Sequence, residues 1–261
     1  MRSLISTIQG IGLSVKLQPM TLLKDEPDFP AYIASSSWSG NALGFGIDLD
    51  KDVAKEKAVG ELLERFALQR DLPKDRRQMV AGESDTCMSM FVDQTIADGD
   101  YLSWWPAQRK NTKAQKWLPA QLLFTGPGDE KPMLDRRRSD GTALSNGSAQ
   151  QGEISAFLEL YERAIVSESF YGNTPWTEIT ELEGDCQRVS QRIQDNSINP
   201  RIFLANSENG IFVVFVLAID RLKRGLALSA GSAAGENLNL TVTKALIESI
   251  QGRSPRRKFF S

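Results

Sequence analysis

Three segments far apart in the chain repeat one pattern without a gap. They are Lys57-Ala58-Val59-Gly60-Glu61-Leu62-Leu63-Glu64-Arg65, Ser155-Ala156-Phe157-Leu158-Glu159-Leu160-Tyr161-Glu162-Arg163 and Lys244-Ala245-Leu246-Ile247-Glu248-Ser249-Ile250-Gln251-Gly252. Each has Ala three residues before its first Glu and an acid or amide three residues after it. On a helix, residues i, i+3 and i+4 fall within an arc of about 100° and form one stripe. In the first segment Val59, Leu62, Leu63 and Phe66 project to the opposite side. In the second, Phe157, Leu158, Leu160, Tyr161 and Ile165 leave little of the helix uncovered, so that helix is expected to be largely buried with its carboxylates facing something polar inside the protein. One such stripe alone is an ordinary solvated helix face. Three in one frame suggest a shared site.

Carboxylates converging on one cavity repel one another unless cations neutralise them, and oxygen-only ligands suit Mg2+ held together with substrate phosphates. The interleaved Arg65 and Arg163, with Arg253 after the third segment, would bind phosphate oxygens through charge-assisted bonds. The set reads as a metal-nucleotide site. No Walker-type phosphate loop, kinase signature or complete dinucleotide fingerprint occurs in the sequence, which disfavours those architectures. Gly44-Phe45-Gly46 is consistent either with a plain turn or with close backbone approach to a phosphate.

Composition narrows the chemistry further. The 261 residues carry 31 Lys plus Arg against 33 Asp plus Glu, so the net charge of -2 offers no basic field for nucleic acid or an anionic membrane. No stretch has the length and apolarity of a signal peptide or a membrane span, which makes the cytoplasm the default compartment. The absence of histidine removes the usual general base, the usual zinc ligand and every Ser-His or Cys-His nucleophile arrangement. Cys87 and Cys186, the two cysteines, lie far apart and show no metal or redox spacing.

The expected fold class is α/β, with mixed α+β organisation and helices carrying a central acidic site, in one domain spanning 1–261. Helices are expected from about Lys51 to Arg70, Gly152 to Phe170, Glu181 to Asp195 and Leu240 to Gln251, with Asp50 or Asp52 available to cap the first. Strands are expected at Met90-Phe91-Val92, from Tyr101 to Trp105, from Lys116 to Phe124, from Pro200 to Ala205 and from Ile211 to Ile219. The last is nearly all apolar, which suggests burial on both faces. The opening residues through Gly46 read as irregular, and Ala230 to Gly235 as a loop of small residues.

These residues resemble the motifs of the YcaO family. Gly44-Phe45-Gly46, Ala54 and the Lys57 to Arg65 segment resemble its first motif. Ser145-Asn146-Gly147 leading to Glu159, Glu162 and Arg163 resembles its second. Asp220, the Gly231 to Gly235 stretch and Glu248, Gln251 and Arg253 resemble the closing motif of its peptide-modifying branch, so the likeness runs from about residue 35 to 255. The resemblance implies ATP and Mg2+ as cofactors. It implies ATP contacts at Gly44, Gly46, Glu61, Arg65, Asn146, Glu159, Arg163, Gln251 and Arg253, and metal ligation by Glu64, Glu162 and Glu248. It implies cyclodehydration of Cys, Ser or Thr to azolines, as in thiazole/oxazole-modified microcins, on a precursor peptide, within an oligomeric complex. There a separate leader-peptide-binding subunit, and in some systems a flavin dehydrogenase, would be the partners. Nucleic acid and membrane are not expected partners.

The departures are specific. The second motif is about five residues short, Gln151 stands where the family tends to place Glu, Lys57 occupies the usual Ser position, and the chain stops at Ser261 without the longer tail of many cyclodehydratases. Three readings stay open: an ATP-dependent amide-activating subunit, whose product could also be a thioamide or amidine; a non-catalytic scaffold of the same assembly; and an unrelated soluble α/β protein whose repeated motif is coincidental.

Overall fold

The computed structural model describes residues 4–69, 77–80, 101–109, 111–120, 149–172, 175–205, 210–224 and 227–253. The chain forms two compact units, one of residues 1–63 and 144–261 and the other of residues 64–143. The sheets of both are antiparallel throughout.

The first unit opens with a short helix, α1 (Leu4–Gly10), and a three-stranded sheet ordered β1 (Lys16–Pro19), β2 (Ala31–Ser35), β3 (Gly44–Ile47). This is the segment expected to be irregular. Its strands are four or five residues long, too short to impose a clear two-residue period on the sequence. Helix α2 (Lys51–Gln69) follows at once. Asp50 caps it, its Oδ1 accepting from the Asp52 and Val53 amides at 2.7 and 3.0 Å.

Gly44 and Gly46 are strand residues, and their bareness lets β3 lie directly on α2. A Cβ at Gly44 would sit 1.9 Å from the Ala58 carbonyl oxygen, and one at Gly46 would sit 2.0 Å from that of Ala54. Close backbone approach is therefore real at both glycines, but what approaches is a helix of the same chain.

After α3 (Ala149–Phe170), the unit builds a four-stranded sheet ordered β10-β9-β8-β7, from β7 (Trp176–Ile179), β8 (Ile198–Ala205), β9 (Phe212–Asp220) and β10 (Leu228–Gly235). Helix α4 (Gly184–Asp195) precedes β8, and α5 (Leu238–Gln251) closes the unit. Helix α4 buries Cys186, Val189, Ser190 and Ile193, the i, i+3, i+4, i+7 stripe of an amphipathic helix.

Strand β9 is covered on both faces, as its apolar run suggested. Val214, Val216 and Ala218 share a core with Val189 and Ile193 of α4 and Val242, Ala245, Leu246 and Ile250 of α5. Val213 turns the other way, joining Ala205 and Ala234 against Leu158, Tyr161, Ile165 and Val166 of α3. The alternation is that of a pleated strand.

Two expectations are corrected. Residues 230–235 form most of β10 and not a loop; Ala, Gly and Ser are weak strand formers, and pairing along the whole of β9 overrides that weakness. Helix α3 is not largely buried either. It lays one face on the sheet and leaves Ile154 and Phe157 more than half exposed, at 52% and 55%.

The second unit holds a sheet ordered β4 (Arg77–Val80), β5 (Tyr101–Gln108), β6 (Gln115–Pro119), with Trp104 fully buried. The expected strand at Met90 lies outside the described residues, as does the part of the Lys116 to Phe124 strand beyond Ala120. No helix among the described residues is long and apolar enough to cross a membrane.

Candidate functional site

Strand β10 is an edge of its sheet, with β9 on one side. Helices α3 and α5 pack on opposite faces of this strand. Ala234 belongs to the cluster under α3, and Ala233 to the core around α5. Gly231 shares the Ala233 face, and its bare Cα is what lets α5 come close: a Cβ there would lie 2.3 Å from the Ser249 nitrogen and 2.5 Å from the Ala245 carbonyl oxygen. Ser232 turns to the α3 face, where its Oγ donates to Glu162 Oε1 at 2.5 Å. A backbone bond from Ala234 also reaches the Glu162 carboxylate. Edge strands carry backbone donors without a neighbouring strand, and Glu162 uses one.

Around this edge the carboxylates of two helices act on one another. Burial pushes the Glu162 carboxyl above its ordinary value; the Ser232 hydroxyl opposes the shift, and the negative charge of Glu159 adds to it. Glu159 is raised by burial as well, while the Arg163 guanidinium paired with it acts the other way. Glu248 is pushed up to about 7, first by burial and then by the charges of Glu162 and Glu159, with Lys57 of α2 and Arg163 opposing. Glu248 nonetheless remains open to water. Carboxylates from α3 and α5 and a cation from α2, Lys57, thus share one electrostatic neighbourhood; of the three repeated segments, the first enters it through its lysine.

The remaining expected residues divide. Glu61 is half-buried, and its Oε2 accepts from the Phe45 backbone N–H, fastening β3 to α2. Lys57 reaches Asp48 Oδ2 at 2.6 Å and the Ile47 carbonyl at 3.3 Å. Glu64 and Arg65 lie three and four residues beyond Glu61 on the same helix, where the second unit begins. Gln251 is the last residue of α5 and is partly buried. Asn146, with Ser145 and Gly147, lies outside the described residues.

Arg253 departs from expectation. It is fully buried, and its Nε and Nη2 donate to Glu26 Oε2 and Asp220 Oδ2, both at 2.9 Å. A guanidinium engaged in this way inside the protein is not presented to a phosphate. The family resemblance put Arg253 on the nucleotide, but it stands five residues after Glu248, about 140° round from it in helical register, and just past the end of α5 at Gln251.

Sequence reasoning missed Ser232 and Glu26. The available signal for Ser232 was its two-residue alternation with Gly231 and Ala233 in a stretch read as loop.

An all-oxygen donor set of mutually strained carboxylates fits a hard divalent cation. Among the described residues no three such groups close on a common point at metal-ligating distance. Mg2+ is commonly held by one or two carboxylates, with phosphates and water supplying the rest.

The fold and site define an antiparallel α/β protein that gathers acidic groups from separate helices about one sheet edge. The chain belongs to the YcaO family: a family model described as YcaO cyclodehydratase, ATP and Mg2+ binding, matches residues 45–259. Several solved structures share its fold. A YcaO from Methanopyrus kandleri bound with AMPPCP and Mg2+ superposes with a TM-score of 0.75 at 19% identity, over 98% of this chain and 67% of that one. A heterocyclase in complex with substrate and cofactor gives 0.75 at 17% identity, over 94% and 39%. A chain of the E. coli microcin synthetase McbBCD complex gives 0.72 at 15% identity, over 94% and 65%. The chain therefore spans between 39% and 67% of these relatives' lengths. No curated protein matches it by sequence.

Proposed function

We propose that this chain is an ATP-dependent subunit that activates a backbone amide of a ribosomally made peptide, most simply cyclodehydrating Cys, Ser or Thr to an azoline, with residues 1–261 acting as one YcaO-like domain. The observation that carries the reading is that α3 and α5 meet the two faces of one strand, with Glu162 bonded to Ser232 of that strand and close enough to Glu248 for their charges to act on each other. Such a cluster is relieved by a divalent cation and its bound phosphates. The family match and the fold shared with an AMPPCP- and Mg2+-bound protein support the same ligand.

In the proposed reaction the peptide's own thiol or hydroxyl adds to the preceding amide carbon. The amide oxygen takes the γ-phosphoryl group and leaves as phosphate, and loss of the amide proton gives the C=N bond. Magnesium-bound ATP supplies that phosphoryl group and the charge neutralisation around it. The chain's part is to bind and orient. Glu162 and Glu248 would hold the metal. Arg163, exchanging Glu159 for phosphate oxygens, would hold the triphosphate, together with Gln251; Glu61, Glu64, Arg65 and Asn146 are nucleotide or metal contacts by the family resemblance alone. Phosphoryl transfer of this kind asks for positioning and charge and not for a covalent enzyme intermediate, which suits a chain without histidine.

The fold shared with chains of the McbBCD complex, one form of which has pro-MccB17 bound, supports a precursor peptide as substrate and a separate peptide-binding subunit as partner. The scaffold reading is favoured by one observation, the absence of three converging metal ligands among the described residues. ATP hydrolysis with partner and peptide separates the two. Activity that falls steeply in Glu64→Gln and Glu162→Gln supports catalysis; activity unchanged in both leaves the scaffold.

A further inference from the structure

Arg253 is among the largest fully buried side chains in the protein. Besides Glu26 and Asp220, it reaches Ser229 Oγ at 3.4 Å through Nη1. Asp220 is shared. Arg224 Nε donates to its two carboxylate oxygens at 3.3 and 3.1 Å, while Nη1 and Nη2 bond the Asp25 and Asn196 carbonyls at 3.0 and 2.6 Å. Through its own three partners Arg253 ties together the segment before β2, the end of β9, the start of β10 and the end of α5 in one buried knot, all in the first unit, while Arg224 braces Asp220 from the knot's outer side.

Burying ions is a poor way to gain stability, because desolvation offsets most of the attraction, and apolar replacements are often as stable. What a planar guanidinium fork supplies is direction. Ser229, Gly231, Ala233 and Gly235 share one face of β10; the last three lie along α5, and Ser229 meets Arg253 just beyond its end. Gly231 sets the Ala245 to Ser249 turn against the strand. Arg253 holds the helix end. Core packing along α5 sets its depth, and the directional bonds of Arg253 add a fixed orientation to its last turn. Glu248 lies within the Gly231 contact, its carbonyl carbon 2.8 Å from where a Cβ would sit, and Gln251 lies between that contact and Arg253.

We propose that Arg253 is a positioning residue: its buried knot sets the last turn of α5, so that Glu248 and Gln251 are held toward Glu162 across the β10 edge. Arg253 thus serves the site through the helix and without touching a ligand. The functional half of this inference rests on the nucleotide reading given above; the structural half does not.

The test compares Arg253→Met with Arg224→Met, which loses an ion pair to the same Asp220 but has no attachment to α5. Two quantities are measured at a temperature where circular dichroism shows every variant folded: amide hydrogen exchange across 245–252, and calorimetric affinity for Mg2+ with a non-hydrolysable ATP analogue. Arg253→Met is expected to speed exchange in the last turn of α5 by at least about tenfold and to weaken nucleotide binding by about tenfold or more. Arg224→Met should leave both near wild type even where its melting temperature falls. Glu26→Gln, which loosens one arm of the knot, carries the same comparison if Arg253→Met does not fold. Unchanged exchange in the Arg253 or Glu26 variant overturns the proposal, as does equal loosening by Arg224→Met, which would indicate a general loss of stability. A wild-type chain that binds no nucleotide counts against the nucleotide reading, and the exchange data still decide the knot.

Discussion

Ser232 donates a 2.5 Å hydrogen bond to Glu162, a residue 70 positions earlier in the chain. The bond joins α3 to β10 one residue from where Gly231 receives α5. The two acidic helices are therefore related through a shared edge strand, and the strand's alternation assigns one face to each.

Removing that hydroxyl has two expected effects. Ser232→Ala should cost about 1 kcal/mol of stability, the usual net worth of one hydrogen bond. It also removes the strongest influence that lowers the Glu162 carboxyl, so that this group stays protonated to higher pH. Magnesium-nucleotide affinity in the variant should fall further below wild type at pH 6 than at pH 8, as measured by calorimetry at the two values.

Glu248 gives a pH dependence of definite sign. Its folded-state value, about 7, lies above its ordinary 4.5, so the native state binds more protons than the unfolded state between those limits. Stability contributed at this site is present below about pH 4.5 and is lost as pH rises through 7. Glu248→Gln should therefore melt above wild type at pH 8 and level with it at pH 4.5, and added Mg2+ with nucleotide should narrow the difference at pH 8. Thermal melts at both pH values check this.

Close packing at Gly231 leaves no room for a side chain. The atoms in the way are the Ser249 nitrogen and Ala245 carbonyl, backbone that yields only if α5 shifts. Gly231→Val should cost about 1–3 kcal/mol in urea denaturation and should also weaken nucleotide binding, because the displaced helix carries Glu248.

Much of this architecture is legible in the sequence. Helices α2, α3, α4 and α5 declare themselves by periodicity over 12 to 22 residues, and β9 by an apolar run that only a doubly covered strand tolerates. The stripes of Glu159 and Glu248 point to a common site for the same reason. What is not legible depends on tertiary contact. Strand β10 is made of residues with little strand preference and exists because β9 is there to pair with it. Gly44 and Gly46 look like a phosphate turn because the sequence records the need for close approach but not the identity of what approaches. Arg253 stands one residue beyond the stripe position that Arg65 and Arg163 occupy, and no periodicity reveals that Glu26, 227 positions away, waits inside the fold.

The most direct test is a calorimetric titration of the folded chain with Mg2+ and a non-hydrolysable ATP analogue, in wild type, Glu162→Gln and Glu248→Gln. Binding by wild type that weakens at least about tenfold in each variant is the predicted result. Binding that is absent in wild type, or equal in all three proteins, would contradict a cation-nucleotide site at the β10 edge.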